Sequence, residues 1–281
     1  MRVSVYEVGP RDGLQYIKHV VPTEQKRELI SALYDSGLAD IEEVSFAHPK
    51  ILPQMADAES VFSGRGAALI MNRRGFDRAV ATGVKKMNIV FSPCETFNMK
   101  NMRKTRNEIV LMYKTFMDKV PKENVRVYLS MAFGSPYSGQ ITHKQMLACI
   151  KDAQMFSDKV VIADTVGAGA EYQIKLWKEI ADNEGVELAM HLHHKGDEYR
   201  AIQLVRAGLL AGIKEFDSSI GGLGGCPFAE GSGANLSTET LVRHLIVWGF
   251  DTGIDYYKLE KASKIAKNIG AFFTYDTLPS V

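Results

Sequence analysis

The chain has 281 residues, 46% hydrophobic and 24% charged, the composition of a globular protein long enough to bury one large core. A formal net charge of +1 gives no bulk attraction to nucleic acid or to a membrane surface, and the apolar runs are strand-sized, so no membrane-spanning helix is expected. Three scattered cysteines, Cys94, Cys149 and Cys226, exclude a disulfide framework and point to a reducing, cytoplasmic setting.

Residues 1–3 run directly into an apolar strand pattern, so no signal peptide is expected, and Pro279-Ser280-Val281 carries no targeting address. Strand patterns of alternating or continuous apolar residues follow at 3–8, 40–46, 67–71, 86–91, 125–132, 160–164, 187–193 and 213–219. Between them the spacing predicts helices, among them 23–36, 107–119, 143–156, 171–183 and 197–207. Thr23 followed by Glu24 suits a helix start, and 100–106 reads as the solvated beginning of a helix, or as cations for the phosphates of a large anionic substrate. After the last strand come a glycine-rich loop, a helix at about 238–248 and a further helix at 256–269. Eight strand–helix repeats without a linker predict an α/β fold, a (β/α)8 barrel occupying 1–281 as one catalytic domain, with 250–281 as a C-terminal helical extension. Strand one ends in Gly9-Pro10-Arg11-Asp12-Gly13, which is not the phosphate-binding fingerprint of a doubly wound sheet.

Barrel enzymes place reacting groups where strands end. Polar residues gather there: Arg11 and Asp12 after strand one, Glu42 in strand two, Asp164 ending strand six, and His191 and His193 ending strand seven. Two histidines two apart on a strand share one face and make a bidentate metal site. Asp12 is the best further carboxylate ligand and Asn235 a plausible oxygen donor. Two imidazoles, a carboxylate and an amide oxygen suit Mg²⁺ or Mn²⁺ first, with Zn²⁺ and Co²⁺ as alternatives. Arg11 beside a metal-binding Asp12 reads as a stabiliser of an oxyanion such as an enolate, against a plain ion-pair role. Cys226 between Gly225 and Pro227 reads as a positioned thiol, against a small core residue. The glycines of 221–225 and 231–233 read as a lid, and Glu42 and Asp164 as supports that orient Arg11 or the ligands.

These residues resemble the 3-hydroxy-3-methylglutaryl-CoA (HMG-CoA) lyase family of metal-dependent aldolase/lyase barrels. The resemblance covers nearly the whole chain: 3–15, 41–46, Pro49-Lys50 with Pro53-Gln54-Met55, Asp164-Thr165-Val166-Gly167, His191-Leu192-His193 and 219–228. It implies that Asp12, His191, His193 and Asn235 are the metal ligands, that Arg11 and Cys226 are the catalytic pair, with Asp12 or one of the histidines as the base, and that Glu42, Asp164, Gln15 and Lys18 support the site. The reaction it implies is cleavage of HMG-CoA or a related 3-hydroxyacyl-CoA to acetyl-CoA and a keto acid, by a homo-oligomer (a dimer) with no nucleic-acid or membrane partner. The chain departs from the family at the barrel mouth: Tyr16-Ile17 replaces Asn-Glu, the order of 231–235 differs, and 194–200 is two residues longer. His194, Lys195, Tyr199 and Arg200 therefore become candidate substrate contacts. Two alternatives stay open: the same mechanism on a different hydroxy acid, and a catalytically silent metabolite-binding paralogue.

Overall fold

The computed structural model describes residues 1–15, 17, 19–224 and 233–271. Eight parallel strands form the barrel: β1 (Ser4–Glu7), β2 (Asp40–Ser45), β3 (Ala67–Leu69), β4 (Lys86–Phe91), β5 (Val125–Leu129), β6 (Lys159–Asp164), β7 (Glu187–His194) and β8 (Glu215–Ser218). Each pairs with its sequence neighbour, and β1 pairs with both β2 and β8, which closes the sheet. A ninth strand, β9 (Ala234–Asn235), adds antiparallel to β7 beyond the closed ring.

Strand alternation explains the two cores. Val5, Ile41, Ile89, Val127, Ile162, Leu188 and Phe216 face the helices and join the main core. Tyr6, Val8 and Ala67, with Leu69, Val90, Tyr128, Val161 and Ala189, fill the barrel interior. The outer ring comprises α1 (Thr23–Asp35), α2 (Ala58–Val61), α3 (Arg73–Thr82), α4 (Glu95–Met102), α5 (Arg106–Met117), α6 (His143–Gln154), α7 (Glu171–Asn183), α8 (Glu198–Leu210), α9 (Thr238–Val247) and α10 (Tyr256–Ala271). α10 buries Leu259, Ala262, Ala266 and Ile269 and packs against α1. None of the described helices is long and apolar enough to cross a membrane.

Several local expectations change. The strand expected at 125–132 ends at Leu129, because Met131 turns to φ +61° and gives its amide to the Thr165 hydroxyl. Thr23 does not cap α1; its hydroxyl donates to Asp57 instead. The cationic run 100–106 is split: Lys100 lies within α4, Arg103 takes a left-handed conformation, and Thr105 with Glu108 forms a capping box that starts α5.

Residues 9–13 form a single wide turn in which the amides of Arg11, Asp12 and Gly13 all approach the Val8 carbonyl. Such π-type turns are rare and swing side chains away from a strand's own axis. Two glycines permit it. A Cβ on Gly9 would lie 2.6 Å from Glu7 Oε1, and one on Gly13 would lie 2.8 Å from Ser219 Oγ and 2.9 Å from Leu223 Cβ. Gly13→Ala must push the root of the loop after β8, at a cost of about 1–3 kcal/mol. Thermal unfolding checks this, and melting at the wild-type temperature would mean that the loop root has slack.

Candidate active site

His191 and His193 lie on the barrel-lining face of β7, in phase with the interior residue Ala189. Parallel pairing with β8 sets His191 opposite Asp217, and antiparallel pairing with β9 sets His193 opposite Asn235. His193 Nδ1 faces the Thr165 carbonyl oxygen at 2.9 Å, and His191 Nδ1 faces Asp217 Oδ2 at 3.3 Å. With both Nδ1 atoms engaged as donors, each neutral ring presents an Nε2 lone pair, and the two Nε2 atoms are 3.0 Å apart. Lone pairs at that distance repel unless a proton or a cation lies between them.

The wide turn after β1 brings Asp12 to the same place. Asp12 Oδ1 accepts from Arg11 Nη1 (2.6 Å) and Gln15 Nε2 (2.8 Å), and Oδ2 accepts from Asn235 Nδ2 (2.9 Å). Among the described residues, Asp12, His191 and His193 form a three-membered donor group whose ligand atoms all lie within 4.8 Å of one another. Asn235 Nδ2 also donates to the Leu223 carbonyl at 2.9 Å, which leaves Oδ1 buried without a hydrogen-bond partner. A buried carbonyl oxygen left unpaired is costly, and two imidazoles, a carboxylate and an amide oxygen are donors for a divalent cation. The residues present therefore fit a metal ion.

The electrostatics suit cation binding. Burial pushes the Asp12 carboxyl up, but Arg11, His191 and His193 outweigh it and hold the group below its ordinary value. Burial, aided by His191, pulls His193 down to about 4, so its ring is neutral. Asp217 overcomes the burial of His191 and raises that ring. A carboxylate and a neutral imidazole are the forms that ligate a metal.

Arg11 is 7% exposed and grips Glu42 through Nε and Nη2 as well as Asp12 through Nη1. Glu42 is held in turn by Asn88 Nδ2 at 2.7 Å, and Asn88 also meets the Tyr6 hydroxyl. Asp164 does not join this network. Its carboxylate accepts from the amides of Ala168 and Gly169, both at 2.8 Å, and so shapes the loop after β6. The reason is phase: Val161 points inward, so Ala163 shares that face and Asp164 does not. Lys18 and Cys226 lie outside the described residues.

The segment expected as a substrate loop is mostly regular structure. His194 ends β7, Asp197 caps α8 through the Tyr199 amide, and Tyr199 and Arg200 belong to α8. Arg200 donates to the Gly169 carbonyl at 3.3 Å, Tyr199 is exposed, and His194 Nδ1 is buried without a partner. Sequence reasoning passed over Asp217, Arg126 and Tyr128, which form a buried cluster behind His191. The signal was Arg126-Val127-Tyr128 and Glu215-Phe216-Asp217, polar residues two apart within strands, as in the histidine pair.

Comparison with known proteins agrees with this architecture. The rat mitochondrial hydroxymethylglutaryl-CoA lyase is 37% identical over 273 residues, covering 93% of this chain and 83% of the rat protein. The zebrafish cytoplasmic 3-hydroxy-3-methylglutaryl-CoA lyase is 36% identical, covering 92% and 81%. An HMG-CoA lyase structure from Acinetobacter baumannii, in complex with coenzyme A and 3-methylmalate, superposes with a TM-score of 0.88 at 31% identity, covering 95% of this chain and 91% of that one. The family model described as HMGL-like matches residues 2–266, and the chain belongs to that family.

Proposed function

We propose that this protein is a divalent-metal-dependent HMG-CoA lyase, which cleaves HMG-CoA to acetyl-CoA and acetoacetate. The observation that carries the reading is the convergence of Asp12, His191 and His193 beside the unpartnered Asn235 Oδ1. These four residues would hold the cation, Mg²⁺ or Mn²⁺ by the mixture of nitrogen and oxygen donors. When bound, the cation would supply Lewis acidity that lowers the pKa of the substrate's C3 hydroxyl.

The chain's own groups do the rest. Asp12, whose carboxylate keeps lone pairs beyond the one it gives the cation, takes the C3 hydroxyl proton, since Nδ1 protonation and ligation through Nε2 leave neither histidine a free lone pair. The C3–O bond becomes a ketone, the C2–C3 bond breaks, and its electron pair passes to the thioester enolate of acetyl-CoA. Arg11, held by Glu42, places its guanidinium to bind the enolate oxygen. Cys226 gives a proton to the enolate carbon, and Gln15 and Glu42 keep Asp12 and Arg11 in place. Cys94 and Cys149 are free thiols, in keeping with a reducing, cytoplasmic setting.

The test is a coupled assay of acyl-CoA cleavage after chelation, with Mg²⁺ or Mn²⁺ restored, over a panel of 3-hydroxyacyl-CoAs and free hydroxy acids. Metal-dependent cleavage with HMG-CoA as the best substrate is expected. Turnover unaffected by chelation would overturn the metal reading. A second reading, a substrate with a different acyl part, draws on the changes at the barrel mouth, Tyr16-Ile17 and the longer 194–200 segment. A higher kcat/KM for another member of the panel would select it.

A further inference from the structure

We infer that Asp217 is a positioning residue that fixes the ring nitrogen His191 offers to the metal, with Arg126 and Tyr128 fixing Asp217 in turn. The inference rests on the metal-binding reading above and extends it to the floor of the site. Asp217 is 1% exposed, and the β7–β8 register places it directly across from His191. Its Oδ1 accepts from Arg126, and its Oδ2 accepts from the Tyr128 hydroxyl at 2.8 Å and faces His191 Nδ1 at 3.3 Å. The Tyr128 ring stands edge-on to the His191 ring at 6.1 Å and 81°. Arg126 is clamped from three sides, by Glu215, by Asp217 and by the Tyr6 ring 4.1 Å from its guanidinium carbon.

This arrangement leaves His191 little choice. An ionised carboxylate only accepts, so Nδ1 must carry the proton and Nε2 must present its lone pair toward His193 and Asp12. With the other tautomer, His191 would turn an N–H toward the cation site and an unpaired lone pair toward Asp217. The carboxylate cannot swing away, because Arg126 and Tyr128 hold both of its oxygens.

Asp217→Asn tests this, since an amide NH2 in the same place donates to Nδ1 and favours the wrong tautomer. Mn²⁺ titration followed by electron paramagnetic resonance reads the affinity. The expected result is a Kd for Mn²⁺ raised about 10–100-fold in Asp217→Asn and a smaller rise in Tyr128→Phe, where Arg126 still holds the other oxygen of Asp217. Equal affinity in wild type and Asp217→Asn, or an equal loss in both variants, overturns the inference and leaves Asp217 a packing residue. A wild-type protein that binds no Mn²⁺ overturns instead the metal reading beneath it. Should Asp217→Asn not fold, ¹⁵N spectra of the Mg²⁺-loaded wild type decide the matter. A protonated Nδ1 on His191 supports the inference, and a protonated Nε2 overturns it.

Discussion

His193→Ala is expected to abolish acyl-CoA cleavage and to raise the Kd for Mn²⁺ by at least roughly 100-fold, because loss of a group that only orients a ligand already costs 10–100-fold. The barrel should survive. His193 is 4% exposed, and its bond outside the site runs to the Thr165 carbonyl, which the alanine would leave unpaired. That costs about 1–3 kcal/mol, or a few degrees of melting temperature in a protein of this size. The substitution also removes the close Nε2–Nε2 approach at 3.0 Å, which offsets part of the loss. Circular dichroism melting and Mn²⁺ titration on the same preparation separate the effects. A folded variant that still binds Mn²⁺ like wild type would remove His193 from the ligand set.

The parts of the site that depend on local periodicity were readable from the sequence. His191 and His193 share a strand face by period two, and the Arg11-Asp12 pair follows the first strand pattern closely enough to place it at the mouth. Residues whose role depends on barrel closure were harder to read. Asp217 faces His191 only because β7 and β8 become neighbours in one register, and an acid in a short strand pattern looks the same whether it points to solvent or to the barrel axis. Asp164 shows the opposite error. A carboxylate ending a strand suggested the site, yet counting from Val161 puts it in the outward phase, where two loop amides satisfy it. Asn235 reaches Asp12 through a two-residue strand on β7, and no periodic signal announces an element that short. His194, Lys195, Tyr199 and Arg200 read as substrate contacts because 194–200 is longer than the family's turn, whereas the structure continues β7 through His194 and starts α8 at Glu198, close to where the helix expected at 197–207 begins.

Arg11→Gln is expected to lower kcat/KM by about 10²–10³ or more, the loss typical of removing one oxyanion-stabilising group. It should also destabilise the fold. Glu42 is fully buried and Asp12 nearly so, and both lean on the same guanidinium. Leaving one member of a buried ion pair unmatched costs about 3–5 kcal/mol. The pH dependence of melting carries a sign that identifies the cause. In the wild type Asp12 is held below its ordinary 3.8, so its contribution to stability is present above that value and fades as pH falls through the depressed one. Without Arg11 the burial of Asp12 has less to oppose it, its folded-state pKa moves up, and the fading begins at higher pH. A pKa carried above 3.8 reverses the slope, so that stability then falls as pH rises through the new value. Melting curves between pH 3 and 7 should therefore diverge most on the neutral side, where the wild-type ion pair is intact. Arg11→Lys separates the two roles. It restores a positive charge beside Glu42 and Asp12 and should recover much of the stability. It lacks the planar fork that holds two carboxylates and an enolate oxygen at once, so activity should stay low. If lysine restores turnover along with stability, Arg11 acts only by holding the site together, and the enolate must be stabilised by another group.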